Sequence, residues 1–316
     1  MRFLAAPVAA CLLLTAAPAT AAAPPAPRVP AGTTAGYAVF DRQANRIVAH
    51  RGAHRRFRSA SVVKLLIAID LLESRRTLPA PDRALLKAML RVSDDDAATA
   101  FWNRGGQRRI VQRTARRLGL TDTAPPPADR PGFWGYTSLS AMDVVTVYRY
   151  LLDRAEPRVR DVILGHLRRA GRCGSDGFDQ SFGIPSGVPG PSAVKQGWSG
   201  YGAAPPARCA RPAASPAAPP SAASPAAVPA ARWAPPSPEA APVAVPAATT
   251  AGTASAGSAG PVPDLGRPVL HTTGLAGRGE RWIMVLLTAH PAGSTWGRST
   301  ARTTALARDL YRGVAR

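Results

Sequence analysis

The spacing of hydrophobic residues in the first quarter of the chain predicts a hairpin followed by a buried helix. Residues 36–41 and 46–50 are short runs rich in β-branched and aromatic residues, separated by four polar or small ones, which predicts two antiparallel strands. From residue 61 to 72, apolar residues occupy nearly every side of a predicted helix. Such a helix should be buried all round instead of lying amphipathic on a surface.

The middle of the chain has helical spacing, and strands return only near its end. Helices with recognisable start or stop signals are predicted over 84–91, from 97 onward, and over 107–118, 140–152 and 157–171. Strands follow at 192–198, 268–273 and 281–288, and a helix at 300–311 closes the chain. The sequence therefore predicts a sheet whose first and last strands are separated by an all-helical segment.

Two stretches have compositions that do not suit a folded core. Residues 203–263 are almost wholly Ala, Pro, Ser, Thr and Gly, which bury too little apolar surface to offset the entropy of ordering them. We expect a disordered insert within a hairpin. Residues 1–23 have an early Arg2, an apolar run and a small-residue site at 19–21, as a secretory signal peptide has. A linker at 24–35 and a folded domain over 36–316 would follow.

The predicted signal peptide bears on the cysteines. Residues 8–11 loosely resemble a lipoprotein box, but the apolar run continues past Cys11. We therefore expect a secreted or wall-associated protein, with a lipid anchor as the less favoured alternative. In an oxidising compartment Cys173 and Cys209 could form one disulfide, and the alternative is two free thiols.

The chain of 316 residues has a formal net charge of +21. This charge would suit an anionic neighbour such as a cell-wall polymer. The charges are spread and mostly arginine, so a codon bias explains them equally well. We find no aromatic-basic alternation and no zinc-ligand spacing, and we predict a monomer that binds no nucleic acid, metal or cofactor.

Ser61 and Lys64 are the first candidates for chemistry, because they lie on one face of the predicted buried helix. Three residues apart, they are one turn from each other, close enough for amine and hydroxyl to meet. Burial disfavours the ammonium form, so the lysine could take a proton from the hydroxyl. The helix start would favour an oxyanion formed there. The alternative is a lysine whose stem packs while its amine reaches water.

Three motifs in order resemble those of the class A β-lactamases and penicillin-binding proteins. They are Ser61-Val62-Val63-Lys64, Ser93-Asp94-Asp95 and Lys195-Gln196-Gly197, which look like the Ser-x-x-Lys, Ser-Asp-Asn and Lys-Thr-Gly motifs of that superfamily. The likeness covers roughly residues 36–316 apart from the insert. It implies an α/β fold: a three-layer sandwich in which an antiparallel sheet is flanked by helices, with an inserted all-α subdomain.

The resemblance also implies roles for individual residues. Ser61 would be the nucleophile, Lys64 would assist its deprotonation, and Ser93 would relay a proton to the leaving nitrogen with support from Lys195. The backbone N–H groups of Ser61 and Trp198 would form the oxyanion hole.

The resemblance places the substrate against residues 195–198, so Gln196, Gly197 and Trp198 are candidate binding residues. Arg267 precedes the strand before the last one at the family's spacing. It could hold a substrate carboxylate, and the alternative is an ordinary surface arginine.

Four departures from the superfamily's pattern bear on function. Asp95 replaces an asparagine, exchanging an amide for a carboxylate that would stabilise the Lys64 ammonium. Gln196 replaces a small hydroxyl residue, which should remove a donor and narrow the groove. The interval from Ser61 to Ser93 is much shorter than in class A enzymes, so one wall of the cleft should be missing. Residues 119–138, where the omega loop belongs, contain no glutamate to activate a deacylating water, and only Asp122 and Asp129 are acidic there.

We interpret the sequence as an exported serine acyl-hydrolase that forms an acyl-serine with β-lactams or related amides and hydrolyses it slowly. One alternative is a D-alanyl-D-alanine peptidase. Another is a non-catalytic, wall-associated binding protein on the same fold. The missing glutamate and Asp95 favour the alternatives over an efficient β-lactamase, whereas the retained serines and lysines favour chemistry over none.

Overall fold

Five of the seven strands in the described part of the chain form a single antiparallel sheet. The computed structural model describes residues 27–205, 207–209 and 262–315. The strands are β1 (Thr34–Asp41), β2 (Arg46–Arg51), β3 (Phe57–Arg58), β4 (Ser138–Leu139), β5 (Ala193–Ser199), β6 (Val269–Ala276) and β7 (Trp282–Ala289). β3 and β4 form a separate ribbon, and the other strands form the sheet in the order β2-β1-β7-β6-β5.

Helices cover both faces of this sheet. They are α1 (Lys64–Ser74), α2 (Ala80–Arg91), α3 (Asp95–Arg104), α4 (Arg108–Leu118), α5 (Ala141–Asp153), α6 (Pro157–Leu167), α7 (Ile184–Gly187) and α8 (Trp296–Val314). On β7, Ile283 and Val285 belong to the core shared with α1 and α5, whereas Met284 packs with Leu306 and Leu310 of α8. Alternate side chains of a strand face opposite layers, and the predicted three-layer architecture is confirmed.

Three helices begin or end at residues other than those predicted from helical spacing, because contacts in the adjoining turns determine their boundaries. Ala60–Val63 forms a 3-10 helix that runs into α1, so the buried helix begins as a tighter turn at the serine. α6 ends at Leu167, earlier than predicted, because Gly171 N–H donates to Arg91 O and draws the following residues into a loop. α8 begins earlier than predicted, at Trp296, where the Thr295 side chain accepts from Arg298 N–H as a cap.

The long predicted insert connects two paired strands. Ser199, the last residue of β5, is opposite Val269, the first residue of β6. The connection between the two strands therefore starts and ends at the same end of the sheet. Most of residues 203–263, predicted to be disordered, and all of the predicted signal peptide lie outside the described residues. Within the described ranges, no helix has the length and apolar character needed to cross a membrane.

Cys173 and Cys209 form the predicted disulfide. It joins the loop after α6 to the first part of the insert. Cys209 N–H also donates to Gly177 O at 2.9 Å, so backbone and side chain hold the same junction. The loop at residues 171–182, which precedes β5, is thereby held against the domain.

Two histidines are buried in the sheet near the serine turn. The Nδ1 of His271 accepts from Thr288 N–H (3.2 Å), so its Nε2 carries the proton and donates to Arg58 O (2.9 Å). If Nδ1 also carried a proton, that proton would point at the Thr288 N–H group, which is itself a donor. Burial lowers the pKa of both His271 and His290 to about 4.

These rings predict an acid-sensitive stability. Above the unfolded pKa of 6.5 both states are neutral, but below it the unfolded chain binds protons that the folded rings refuse until about pH 4. The free energy of unfolding should therefore fall through this window by roughly 2 to 3 kcal/mol per buried ring. Urea unfolding at about pH 7.5 and about pH 4.5 measures the loss.

The matched variants are His271→Gln and His50→Gln, the latter at an exposed position on β2. His271→Gln should reduce the loss between the two pH values, and His50→Gln should leave it unchanged. An undiminished loss in His271→Gln would contradict the assignment of this pH dependence to the buried ring.

Candidate active site

Ser61 lies in an anchored turn between β3 and α1. A hydrogen bond from His271 Nε2 to Arg58 O fixes the chain just before this turn. The chain then passes through Ala60 at φ 44°, a left-handed conformation that is unfavourable for alanine, and enters the 3-10 helix. Because the first N–H groups of a helix lack intrahelical acceptors, Ser61 lies where an oxyanion is best stabilised.

The edge strand β5 packs directly onto this turn at Gly197. A Cβ at position 197 would lie 3.1 Å from Ser59 O, 3.2 Å from Ser61 N and 3.0 Å from a Val62 methyl group. Glycine is therefore required by close approach of two backbones. The packing brings the Gly197-Trp198 backbone beside Ser61, which is the arrangement that the predicted oxyanion hole needs.

Lys64 is fully buried one turn after Ser61, and its amine is already occupied. Nζ donates to Ser93 O (2.6 Å), Ser93 Oγ (3.3 Å) and Asp95 Oδ1 (2.6 Å), and it lies 4.8 Å from the ring centroid of Trp134. Three acceptors match the three protons of an ammonium. Among the described residues, Ser61 is not one of its hydrogen-bond partners.

Lys195 approaches the same serine from β5. Its Nζ donates to Ser93 Oγ (2.8 Å) and to Gln196 O (2.9 Å), and its side chain is buried. Burial, first, and the charge of Lys64, second, hold the pKa of Lys195 well below its usual range. Two buried amines therefore meet at one hydroxyl.

Ser93 has a geometry that suits a proton relay. Its oxygen accepts from both Lys64 and Lys195, so its own proton is left to point elsewhere. The residue has φ 56°, a strained conformation for serine, and the next residue, Asp94, caps α3 by accepting from Ala97 N–H. The turn thus presents a backbone carbonyl to one lysine and a hydroxyl to both.

Sequence comparison finds relatives that match half of this chain. The chain is 42% identical over 175 residues to proteins of Mycobacterium tuberculosis and Mycobacterium bovis that carry the name "Putative lipoprotein LppW", and the match covers 53% of this chain. It spans only about half the length of these curated relatives, 54%. No family model matches the chain.

Structure comparison is more extensive. PBP-A superposes with a TM-score of 0.58 at 16% identity, covering 90% of this chain and 91% of the other. A class A β-lactamase from Mycobacterium abscessus superposes at 0.56 with 15% identity, over 90% and 95% of the two chains. This chain has the serine β-lactamase and penicillin-binding protein fold. A single-residue mutant of PBP-A, solved as an acyl-enzyme complex with penicillin G, superposes equally well at 0.58.

On this β-lactamase-like fold, five of the sequence-predicted site residues come together. Lys64, Ser93, Asp95 and Lys195 form one hydrogen-bonded group, and Ser61 is one turn from Lys64 and against Gly197. The three motifs thus meet where α1, the turn before α3 and the edge strand converge.

Gln196 does not line the groove, and the prediction that it narrows the cleft is wrong. Its Nε2 donates to Gln180 O (3.1 Å) and Phe182 O (2.6 Å), and the side chain is buried. Strand alternation sends Lys195 and Gly197 toward the serine turn, so the residue between them points to the opposite face. Gln196 fastens the loop before β5 to the sheet.

Arg267 is likewise placed away from the site. Its guanidinium donates to the backbone carbonyls of His290 (3.1 Å), Ala289 (2.7 Å) and Gly32 (2.9 Å) and to Thr34 Oγ1 (2.9 Å). All of its nitrogens have partners at the ends of β1 and β7. A structural role replaces the predicted binding of a substrate carboxylate.

The segment 119–138 offers Lys64 an aromatic ring and no carboxylate. Asp122 accepts from Ser140 Oγ and lies 2.8 Å from His54 Nδ1, and the side chain of Asp129 is 75% exposed beside Arg130. The residue of this segment that faces Lys64 is Trp134. These partners of the two aspartates lie outside the group formed by Lys64, Ser93, Asp95 and Lys195.

Asp176 is a site residue that sequence reasoning missed. It lies in the loop before β5, accepts from Trp198 Nε1 at 2.9 Å, and its charge acts on Lys195. No family motif covers this loop. The sequence feature that could have identified it is the cysteine pair, because a disulfide at Cys173 fixes the loop that lies just before the third motif.

The contact at Gly197 predicts a local and damaging effect of a single methyl group. Gly197→Ala should push β5 from the serine turn, lower the free energy of unfolding by about 1 to 3 kcal/mol and slow labelling of Ser61 by roughly tenfold or more. Gly297→Ala on α8, where a new Cβ meets no atom within 4 Å, is the control. Urea unfolding and the labelling rate with a neutral fluorophosphonate report the two effects. Unchanged labelling in folded Gly197→Ala would contradict the role of this contact.

Proposed function

We propose that this protein is an exported serine acyl-hydrolase that forms an acyl-serine with β-lactams or related amides and releases it slowly. The observation that carries the proposal is the meeting of Lys64 and Lys195 at Ser93, one turn from Ser61 and against the β5 edge. An apolar core has no need of two buried amines at one hydroxyl. Each costs desolvation, so a reactive site is the best account of them.

In the acylation step, Ser61 Oγ attacks the substrate carbonyl carbon and forms the new C–O bond. Its proton passes to a base, for which Lys64 is available once it has given up a proton to solvent. The backbone N–H groups of Ser61 and Trp198 hold the oxyanion. The scissile C–N bond then breaks, and the leaving nitrogen takes the proton of Ser93, which is replaced through the lysines.

The ion pair with Asp95 limits this step. The carboxylate lies 2.6 Å from Nζ and accepts one of its protons, which orients the amine toward Asp95 and Ser93. Asp95 thus stabilises the buried lysine and keeps its amine engaged away from Ser61. The same contact supports the second candidate, a wall-associated binding protein or weakly reactive peptidase on this fold.

Deacylation receives no carboxylate from residues 119–138, where the superfamily's glutamate would lie. Trp134 covers Lys64 from the segment where a glutamate would have to stand, and its Nε1 donates to Thr99 Oγ1, which fixes the ring there. General-base assistance is typically worth about 10²- to 10⁴-fold, so its loss slows hydrolysis of the acyl-enzyme more than its formation. A long-lived adduct is the expected result.

The cell envelope is the proposed location. The relatives' name describes lipoproteins, which supports export and leaves a lipid anchor at Cys11 as the alternative to a secreted form. The net charge of +21 supports contact with an anionic wall polymer. The disulfide also suits an oxidising compartment.

The adduct is the direct test of the proposed function. Prolonged incubation with millimolar penicillin G should add the mass of the drug to the protein, and the adduct should persist for hours because no carboxylate of residues 119–138 faces the site to orient a water. Intact-mass spectrometry detects the increase, and peptide mapping should place it on Ser61. Ser61→Ala should show none.

The remaining outcomes separate the candidates. Rapid multiple turnover without an adduct would contradict slow deacylation. If folded protein gives neither adduct nor turnover with penicillin or with a neutral serine-directed fluorophosphonate, the protein is a binding protein.

Asp95→Asn should remove the ion pair that engages the Lys64 amine. An amide keeps a hydrogen-bond acceptor for Nζ but removes the ion pair that holds the amine away from Ser61, so acylation of Ser61 should accelerate about 10- to 100-fold. The matched control is Asp96→Asn, the same change at the next, exposed position of α3. Stopped-flow or gel-based labelling rates with a fluorophosphonate compare the variants. Equal rates in Asp95→Asn and wild type would show that the ion pair does not limit reactivity.

A further inference from the structure

Asp176 lies on the leaving-group side of the proposed site. The loop at residues 171–182 is fastened to the end of α2 just before Ser93, because Ser175 N–H donates to Val92 O (2.8 Å) and Gly171 N–H donates to Arg91 O (2.8 Å). The residue after Ser175 therefore stands beside the turn that carries Ser93. A substrate whose leaving atom reaches Ser93 places the rest of its leaving group near Asp176.

The carboxylate of Asp176 is held in a defined position. Oδ2 accepts from Trp198 Nε1 (2.9 Å) and Oδ1 from Phe178 N–H (3.2 Å). The Trp198 ring also lies close over Gly174, where an added Cβ would be 3.1 Å from it. Burial among these groups, followed by the negative charge of Asp95, raises the pKa of Asp176 although the residue itself reaches the surface.

Within the described part of the chain, Lys64 is the cation whose charge acts on this carboxylate, and it already has hydrogen-bond partners of its own. Lys64 is paired with Asp95, and Arg267 is bound to backbone carbonyls at the far ends of β1 and β7. Among the described residues, the charged groups that act on Lys195 are Lys64, Asp95 and Asp176. The two amines that meet at Ser93 are thus each faced by a carboxylate, which weakens their attraction for an anion.

Aromatic rings complete the surroundings of Asp176. The half-buried Trp198 lies 6.0 Å from Trp296 and 6.3 Å from Phe178 between ring centroids, and Tyr201 lies 5.1 Å from Trp296. A carboxylate beside half-buried aromatic rings is the chemistry that binds an organic ammonium ion, through ion pairing and cation–π attraction. The same surroundings repel and poorly solvate a second carboxylate.

We infer that this protein selects acyl substrates whose leaving group carries an ammonium ion and rejects those whose leaving group carries a carboxylate, with Asp176 as the selecting residue. The inference rests on the proposed acyl-serine chemistry at Ser61 and names its substrate class. Penicillin, which carries a carboxylate, is then a slow acylating agent. Asp176 contacts the substrate through its charge and takes no part in proton transfer.

Three thioesters with one acyl group test the selection. Their leaving thiols have nearly the same shape and differ in charge: thiocholine is cationic, 3,3-dimethylbutanethiol is neutral and 3-mercaptopropionate is anionic. Attack by Ser61 forms the acyl-serine, breaks the C–S bond and releases the thiol, which a disulfide reagent detects. We expect kcat/KM to be about tenfold higher for the cationic than for the neutral substrate, and lowest for the anionic one.

Asp176→Asn is the decisive variant, because asparagine retains an oxygen that can accept from Trp198 Nε1. The spread across the three substrates should shrink to about threefold or less, and the rate of penicillin labelling should rise. Asp179→Asn is the matched control: it removes the same charge from the same loop, but its carboxylate pairs with Arg172 instead of the cleft. It should keep the wild-type order. High salt should also reduce the wild-type spread.

The failures of the inference and of the proposed function are distinguishable. A neutral fluorophosphonate first measures, on the wild-type protein and on Asp179→Asn, whether Ser61 is reactive at all. Labelled protein that processes the three thioesters equally, or prefers the anionic one, overturns the selection and leaves the acyl-serine chemistry standing. Unlabelled, folded protein overturns the proposed function and the selection with it.

Discussion

The site depends on one constraint, which is that two lysine side chains are buried side by side. Lys64 and Lys195 are 0% and 1% exposed. A buried ammonium is tolerated only with full hydrogen bonding and a compensating charge. Ser93 supplies a carbonyl and a hydroxyl, Gln196 a second carbonyl, and Asp95 the charge. The turn before α3 and the β5 edge are therefore fixed relative to α1 by the needs of these two amines.

Meeting those needs strains the backbone at two points. Ala60 and Ser93 both have positive φ, at a typical cost of about 1 to 3 kcal/mol each, and both adjoin groups that the chemistry requires. The surrounding structure holds them there. The His271 contact to Arg58 O secures the chain before Ala60, and the Asp94 cap of α3 secures the chain after Ser93. Strain of this kind persists only where rigid neighbours over-determine the backbone.

The sequence was sufficient for the elements whose burial follows from composition. The apolar run around Lys64 had to be a core helix. The start of the 140–152 helix could be recognised from Ser140, whose side chain accepts from Asp143 N–H as a cap. Gln196 could also have been assigned correctly, because strand alternation alone places it opposite Lys195 and Gly197. The motif residues were found because their spacing along helix and strand fixes their positions in space.

The remaining site residues could not be found in this way, because they belong to loops whose positions depend on long-range contacts. Asp176 reaches the cleft through bonds from its loop to Val92 and through the bridge to Cys209. Arg267 is defined by the carbonyls that end two other strands. Trp134 faces Lys64 only once the ribbon of β3 and β4 has folded. Local pattern carries no information on such pairings.

The electrostatic balance of the cleft links stability to chemistry. A carboxylate at position 95 makes burial of Lys64 less costly, and the same contact keeps its amine engaged away from Ser61. A cleft that holds its lysines with its own carboxylates has less attraction for a carboxylate on a ligand. Since Asp95 and Asp176 both act on Lys195, and the arginine expected to provide a counter-charge is engaged in the strand ends, the proposed rejection of anionic leaving groups and the stabilisation of a buried amine pair follow from one charge arrangement. On this fold, a change of substrate class then requires no change in the serine, the lysines or their positions, only in the carboxylates around them.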